Sequence, residues 1–206
     1  MRRPEFIARH GGMPAGWLGR VVASIMERET AAINQHAIAL LDPQVGEAVL
    51  DIGTGNGLSL RHLARCVGEG TVVGVDHSPV MCRRAEKNNK SLIDEGPVSV
   101  VCACSDDLPF ETGYFDAAMS VHTLYFWDPA EPHLKEIARV LRPGGRLVLA
   151  FRPDTDPATS DFPDSIYTFR SIEKIESLAD SCGFENFILE NGANSETLLC
   201  ATRSHY

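Results

Sequence analysis

The sequence predicts an α/β protein built on one doubly wound, mostly parallel seven-stranded sheet, and two observations carry that prediction. Short apolar runs alternate along the chain with segments of helical periodicity, which gives a parallel sheet with helices on both faces. The first of these runs, Val49-Leu50-Asp51-Ile52, leads into three glycines at alternate positions, Gly53, Gly55 and Gly57. Glycine has no Cβ and accepts positive φ, so the stretch reads as a strand, a tight turn and a helix start on which a ligand can lie against bare backbone.

Each element follows in order. Residues 1–18 are rich in Gly and Pro and show no clear period. From Gly19 to Leu41 apolar residues recur at helical spacing (Val22, Ile25, Met26, Ile33, Ala37, Leu40, Leu41), and Asp42-Pro43 stops the pattern, so an extra N-terminal helix precedes the sheet. Ala48–Ile52 is the first strand and Leu58–Val67 its helix. Thr71–Val75 is the second strand and ends at Asp76, after which Ser78-Pro79 opens a helix with a cap and a first-turn proline. Val98–Ala103 and Phe115–Val121 are strands apolar enough for burial on both faces. Pro132–Leu141 is a helix, Arg142-Pro143-Gly144-Gly145 the turn that ends it, and Arg146–Phe151 a strand. Residues 153–170 carry Pro153, Pro157 and Pro163 among several aspartates and read as a long loop. Ile172–Ser181 is a helix stopped near Gly183, and Phe184–Glu190 with Thr197–Thr202 makes an antiparallel closing hairpin across Asn191-Gly192. With 206 residues and no internal repeat, the whole chain, 1–206, is expected to be a single domain.

Composition narrows the partners. A formal charge of −9 without any Lys/Arg cluster argues against nucleic acid and against stable association with an anionic membrane. No run approaches the roughly 18 apolar residues of a membrane span, and Arg2-Arg3 lacks the apolar core of an export signal. A cytoplasmic protein is expected. The six cysteines form no C-x-x-C pair, so neither a disulfide framework nor a metal site is indicated, and Cys102 and Cys104, on one strand face, read as packing residues.

In an open parallel sheet, ligands sit at the carboxyl ends of the strands where the strand order reverses. The glycine turn, Asp76 and the residues after the third and fourth strands therefore converge on one crevice. Asp76 lies 19 positions past Gly57. A carboxylate there can accept both hydroxyls of an adenosine ribose, which two cofactor classes require. The glycine spacing separates the two. A dinucleotide fingerprint needs glycine at the sixth position, which is Leu58 here, and the chain has Gly57 instead.

Four segments carry a resemblance: Leu50-Asp51-Ile52-Gly53-Thr54-Gly55-Asn56-Gly57, Val73-Gly74-Val75-Asp76, Asp107-Leu108-Pro109-Phe110 leading to Phe115-Asp116, and Arg139-Val140-Leu141-Arg142-Pro143-Gly144-Gly145. In this order and spacing the chain resembles a class I S-adenosylmethionine-dependent methyltransferase of the small bacterial type, over nearly its whole length. The resemblance implies a Rossmann-like methyltransferase fold and S-adenosylmethionine as cofactor. It implies that Asp51 and the backbone of Gly53, Thr54, Gly55, Asn56 and Gly57 hold the methionine moiety, that Asp76 holds the ribose, and that His77 or Ser78 borders it. The adenine would lie after the third strand. The family carries an acid where this chain has Cys104, then a small residue and an acid; Ser105 and Asp106 fit those last two places, and one of them is expected at the adenine's amino edge.

Methyl transfer from a sulfonium is an in-line displacement with a neutral leaving group, so proximity, alignment and exclusion of water are the main tasks. A base is needed only where the acceptor must lose a proton. His122, at the end of the fourth strand, is the candidate catalytic group; the alternative is a histidine that packs beside the cofactor. Tyr125, Phe126 and Trp127 could line an aromatic acceptor pocket, or belong to the core or the cofactor cleft. The 1–41 segment, with Trp17, Arg20 and Met26, is expected as a helical lid, and the 153–170 loop, with Tyr167 and Phe169, as the acceptor side. The acid-or-Asn-Pro-Pro-aromatic motif of nucleic-acid amino methyltransferases is missing, so a small-molecule acceptor is favoured, with a homodimer left open. Two alternatives remain: a non-catalytic S-adenosylmethionine-binding sensor or partner subunit, and an NAD(P)-linked oxidoreductase.

Overall fold

The computed structural model describes residues 30–192 and 195–205. Residues 30–41 are helical (α1), the carboxyl-terminal part of the expected Gly19–Leu41 helix. Then come β1 (Ala48–Ile52), α2 (Leu58–Val67), β2 (Thr71–Asp76), α3 (Pro79–Asn88), α4 (Lys90–Glu95), β3 (Val98–Cys102), β4 (Phe115–Val121), α5 (Glu131–Val140), β5 (Leu141–Phe151), α6 (Ile172–Ser181), β6 (Phe184–Asn191) and β7 (Thr197–Arg203). They form one seven-stranded sheet in the order β3-β2-β1-β4-β5-β7-β6. The first five strands run parallel, and β7 pairs antiparallel with both β5 and β6.

Strand periodicity sorts the core into two layers. Leu50, Ile52, Val73, Val75 and Ala118 point to the face covered by α5 and α6, through Leu134, Ile137, Ile175 and Ala179. Val49, Val72, Ala117, Met119 and Val148 point to the other face, beneath Ile33, Ala37 and Leu41 of α1 and Leu60, Leu63 and Val67 of α2. Burial on both faces is what the near-continuous apolar runs require. Because β1 neighbours both β2 and β4, the order reverses there, and the tips of β1 and β4 open a crevice.

Three local features differ from expectation. The segment after Pro79 is two helices, because the Asn89 side chain donates to Ala85 O (2.9 Å) and Gly57 O (2.8 Å) and α3 ends there. Arg142–Gly145 is a bulge inside β5 rather than a turn before it: Leu141 pairs with Phe115 and Arg146 already pairs with Ala117. The 153–170 segment holds a 3₁₀ turn, Pro157–Asp161, started by Asp156, whose carboxylate accepts from Ala158 N at 2.9 Å.

Candidate active site

The glycine turn is pinned before any ligand arrives. Gly53 N and Thr54 N both donate to Val75 O, at 2.8 and 2.9 Å, so the turn is tied to β2. Gly55 and Gly57 both have positive φ (58° and 74°) but serve different ends. A Cβ on Gly55 would meet nothing within 4 Å, because it opens onto the crevice. A Cβ on Gly57 would lie 2.6 Å from Asn89 Nδ2 and 2.9 Å from Ala85 Cβ, because α3 packs directly on the turn.

Two buried carboxylates flank this bare backbone. Asp51, 3% exposed, accepts from Thr54 Oγ1 at 2.7 Å and from Ser59 Oγ. Asp76, 8% exposed, accepts from Gly55 N (2.9 Å) with one oxygen and from Ser78 N (2.8 Å) with the other. Burial raises the pKa of both above the usual carboxylate range, and these hydrogen bonds only partly offset it. Each Asp76 oxygen keeps a lone pair for a further donor. His77 is exposed, its Nδ1 3.8 Å from Asp76 Oδ1. Ser59 and Asn89 complete the turn without having been foreseen; Ser59, two residues past Gly57, was within reach of sequence reasoning, whereas Asn89 arrives from 32 residues away.

These groups border a cavity of about 280 Å³ that reaches from the glycine turn across to His122. Cys104 and Ser105 line it; Asp106 does not and is exposed. Ser105 Oγ lies 2.8 Å from His133 Nδ1, and the His133 ring stacks on Trp127 with centroids 5.2 Å apart and planes at 8°. Burial lowers the pKa of His133, which favours the neutral ring. Of the aromatic residues expected at the acceptor, Trp127 lines the cavity, stacked on His133, whereas Tyr125 and Tyr167 do not line it. These two pack with Phe169 behind the wall, because the 3₁₀ turn Leu124–Phe126 directs Phe126 to the cavity and Tyr125 away from it. Trp17, Arg20 and Met26 lie outside the described residues. Thr30 and Asn34 of α1 line the cavity, so α1 reaches the site.

His122 stands at the end of β4 with φ 57°. Both ring nitrogens are engaged, Nδ1 with Tyr125 OH (2.8 Å) and Nε2 with Glu196 Oε1 (2.9 Å). A base role would require one of these bonds to be given up. The segment Leu108–Phe110 is held by Arg139, which donates to Leu108 O (2.9 Å) and Phe110 O (2.8 Å) while paired with Glu136. That clamp links two of the four motifs noted in the sequence.

Residues 50–149 match a family model described as a methyltransferase domain. The demethylmenaquinone methyltransferase of Tropheryma whipplei is 30% identical over 176 residues, covering 73% of this chain and 71% of that protein. The chain belongs to the class I S-adenosylmethionine-dependent methyltransferases. An O-methyltransferase of Aspergillus sclerotiorum is 34% identical over 125 residues, 61% of this chain, and the present methyltransferase spans only about half that relative's length (47%). Its fold matches a chain of the complex between the Haloferax volcanii Trm112 methyltransferase activator and a methyltransferase, with TM-score 0.79, 23% identity and full coverage of both chains.

The site of this methyltransferase fits a sulfonium nucleoside. Two aspartates and no Lys or Arg line the cavity among the described residues, so its charge suits a cation. Asn56 Nδ2 is buried without a partner in the turn, a donor set beside the bare Gly55 backbone. Among the described residues no group of His, Cys, Asp or Glu could hold a metal ion, and no helix is long and apolar enough to cross a membrane.

Proposed function

We propose that the protein transfers a methyl group from S-adenosylmethionine to a small-molecule acceptor. When bound, the cofactor supplies an electrophilic methyl on a sulfonium that departs as a neutral thioether. Asp76 accepts from the ribose hydroxyls with the lone pairs left over from Gly55 and Ser78. The backbone from Gly53 to Gly57 and the Asn56 amide hold the methionine end, and Asp51 supplies negative charge from below. Ser105, His133 and Trp127 form the slot for the base, with Asp106 behind it. The observation that carries the reading is the pairing of a side-chain-free turn at Gly55 with the Asp76 carboxylate that accepts from it at 2.9 Å.

Alignment of acceptor and methyl, with water kept out, supplies most of the rate. The N-terminal segment acts as a lid, a role supported by Thr30 and Asn34 in the cavity lining, whereas the 153–170 loop expected on the acceptor side contributes no residue to that lining. His122 is a fixed wall at the acceptor end. A small acceptor is supported by the size of the cavity, about 280 Å³, and a cytoplasmic setting by the six free cysteines.

Calorimetric titration with S-adenosylmethionine, S-adenosylhomocysteine and NADH tests the cofactor, and NADH binding alone would refute the reading. Labelled methyl transfer into a metabolite extract tests turnover. Binding without transfer to any metabolite would replace the enzyme with a sensor or partner subunit.

A further inference from the structure

Glu196 has no part in the function described so far, yet it is one of the most deeply buried acids of the molecule. It lies just before β7 and is 4% exposed. Its Oε1 is 2.9 Å from His122 Nε2 and 3.4 Å from Arg152 Nη2. Arg152 Nη1 donates to Asp156 Oδ2 at 2.7 Å, and the Arg152 backbone N–H donates to Tyr125 OH at 2.6 Å. Tyr125 OH meets His122 Nδ1 at 2.8 Å and closes a ring of polar contacts behind the cavity wall. Residues from the ends of β4 and β5, the β6–β7 connection and the 153–170 segment all contribute. An acidic side chain buried this deeply is tolerated only when its partners are in place, and a satisfied network of this kind rigidifies what it touches.

We propose that Glu196 is the positioning residue of this wall, holding the His122 ring in one orientation and one tautomer, with hydrogen on Nε2. A carboxylate only accepts, so Nε2 carries the hydrogen of that contact. The Arg152 N–H already donates to the phenol oxygen, which leaves the phenol's own hydrogen directed at Nδ1. His122 needs external support because its left-handed backbone is disfavoured for a residue with a Cβ. With both nitrogens committed, the ring cannot swing into the cavity, and Arg152 ties its position to Asp156 of the 153–170 segment. The inference rests on the reading of this cavity as the cofactor and acceptor site.

The test uses the full chain labelled with ¹⁵N-histidine, His122 being assigned by comparison with His122→Gln. Multiple-bond ¹H–¹⁵N spectra of the wild type should show His122 as the Nε2–H tautomer alone. Glu196→Gln keeps an oxygen acceptor and should leave that pattern intact, with S-adenosylhomocysteine affinity within about twofold of wild type. Glu196→Leu removes the acceptor, so the His122 signals should move to a tautomer mixture and affinity should fall roughly tenfold. An Nδ1–H tautomer or a mixture in the wild type overturns the proposal, as does an unchanged His122 spectrum in Glu196→Leu. If that variant does not fold, the wild type and Glu196→Gln decide the question. A wild type that binds no S-adenosylhomocysteine but shows the Nε2–H form supports the role of Glu196 and removes the cofactor reading instead.

Discussion

Replacing Asp76 with alanine tests the centre of the site, and the structure sets the size of the effect. In the ligand-free protein the change removes the acceptor for Gly55 N at 2.9 Å and for Ser78 N at 2.8 Å. It also removes a carboxylate whose burial is unfavourable, as its raised pKa shows. Gly55 N can turn to water in the cavity, whereas Ser78 N starts a helix and is buried, so the net loss of stability should be on the order of 1 kcal/mol. In the complex the ribose hydroxyls lose their ionised acceptor. Losing a single hydrogen bond to a charged group costs about 1.5–3 kcal/mol, so affinity for S-adenosylhomocysteine should fall by at least roughly ten- to 150-fold. Asn is no conservative substitute, since its NH₂ would face one of two N–H donors that both require an acceptor. The assay is calorimetric titration at neutral pH, with a thermal melt of the ligand-free variant as the folding control. A folded Asp76→Ala protein with affinity within about twofold of wild type would refute the assignment of the ribose to this carboxylate.

Three further outcomes follow from the same geometry. Asp51 and Asp76 have raised pKa values, so the ligand-free native state holds protons more tightly than the unfolded chain; their contribution to stability therefore declines as pH rises from the ordinary carboxylate range through the raised values. A cationic cofactor prefers the ionised pair, so its binding should weaken on acidification through the same window and release protons there, which titrations in buffers of different ionisation enthalpy would detect; proton uptake would contradict it. Gly57→Ala should lower the melting temperature sharply, by an amount equivalent to about 2 kcal/mol or more, since its Cβ would stand 2.6 Å from Asn89 Nδ2 at positive φ, whereas Gly55→Ala should fold with less loss and fail mainly in cofactor binding; equal melts for the two would refute the contrast. Arg139→Ala should cost about 1–2 kcal/mol in denaturant melts, because Leu108 O, Phe110 O and Glu136 lose their donor, while cofactor affinity stays near wild type; a variant as stable as wild type would mean the clamp is solvated away.

What could be read from the sequence was local, and what could not was brought in by packing. Gly55, Asp51 and Asp76 were legible because a turn and a strand end are written in consecutive residues, and period-two burial followed from the apolar runs themselves. Asn89, His133 and Glu196 carry no such signal: they meet Gly57, Ser105 and His122 across 32, 28 and 74 residues. Tyr125 and Trp127 make the point within a single turn. Both are aromatic, nearly adjacent and buried, so composition treats them alike, yet only Trp127 borders the cavity. The 3₁₀ turn Leu124–Phe126 decides this, by sending the Tyr125 hydroxyl back to Arg152 N and His122. A hydroxyl this deep must find polar partners, and it finds them in Arg152 N behind the wall and in the Nδ1 of His122, the wall residue itself. The identity of the acceptor was illegible for a related reason. The proposed cofactor end is built from backbone and two carboxylates held in fixed register, whereas the proposed acceptor end is assembled from α1, the end of β4 and the turn that follows it, whose contacts no local pattern encodes.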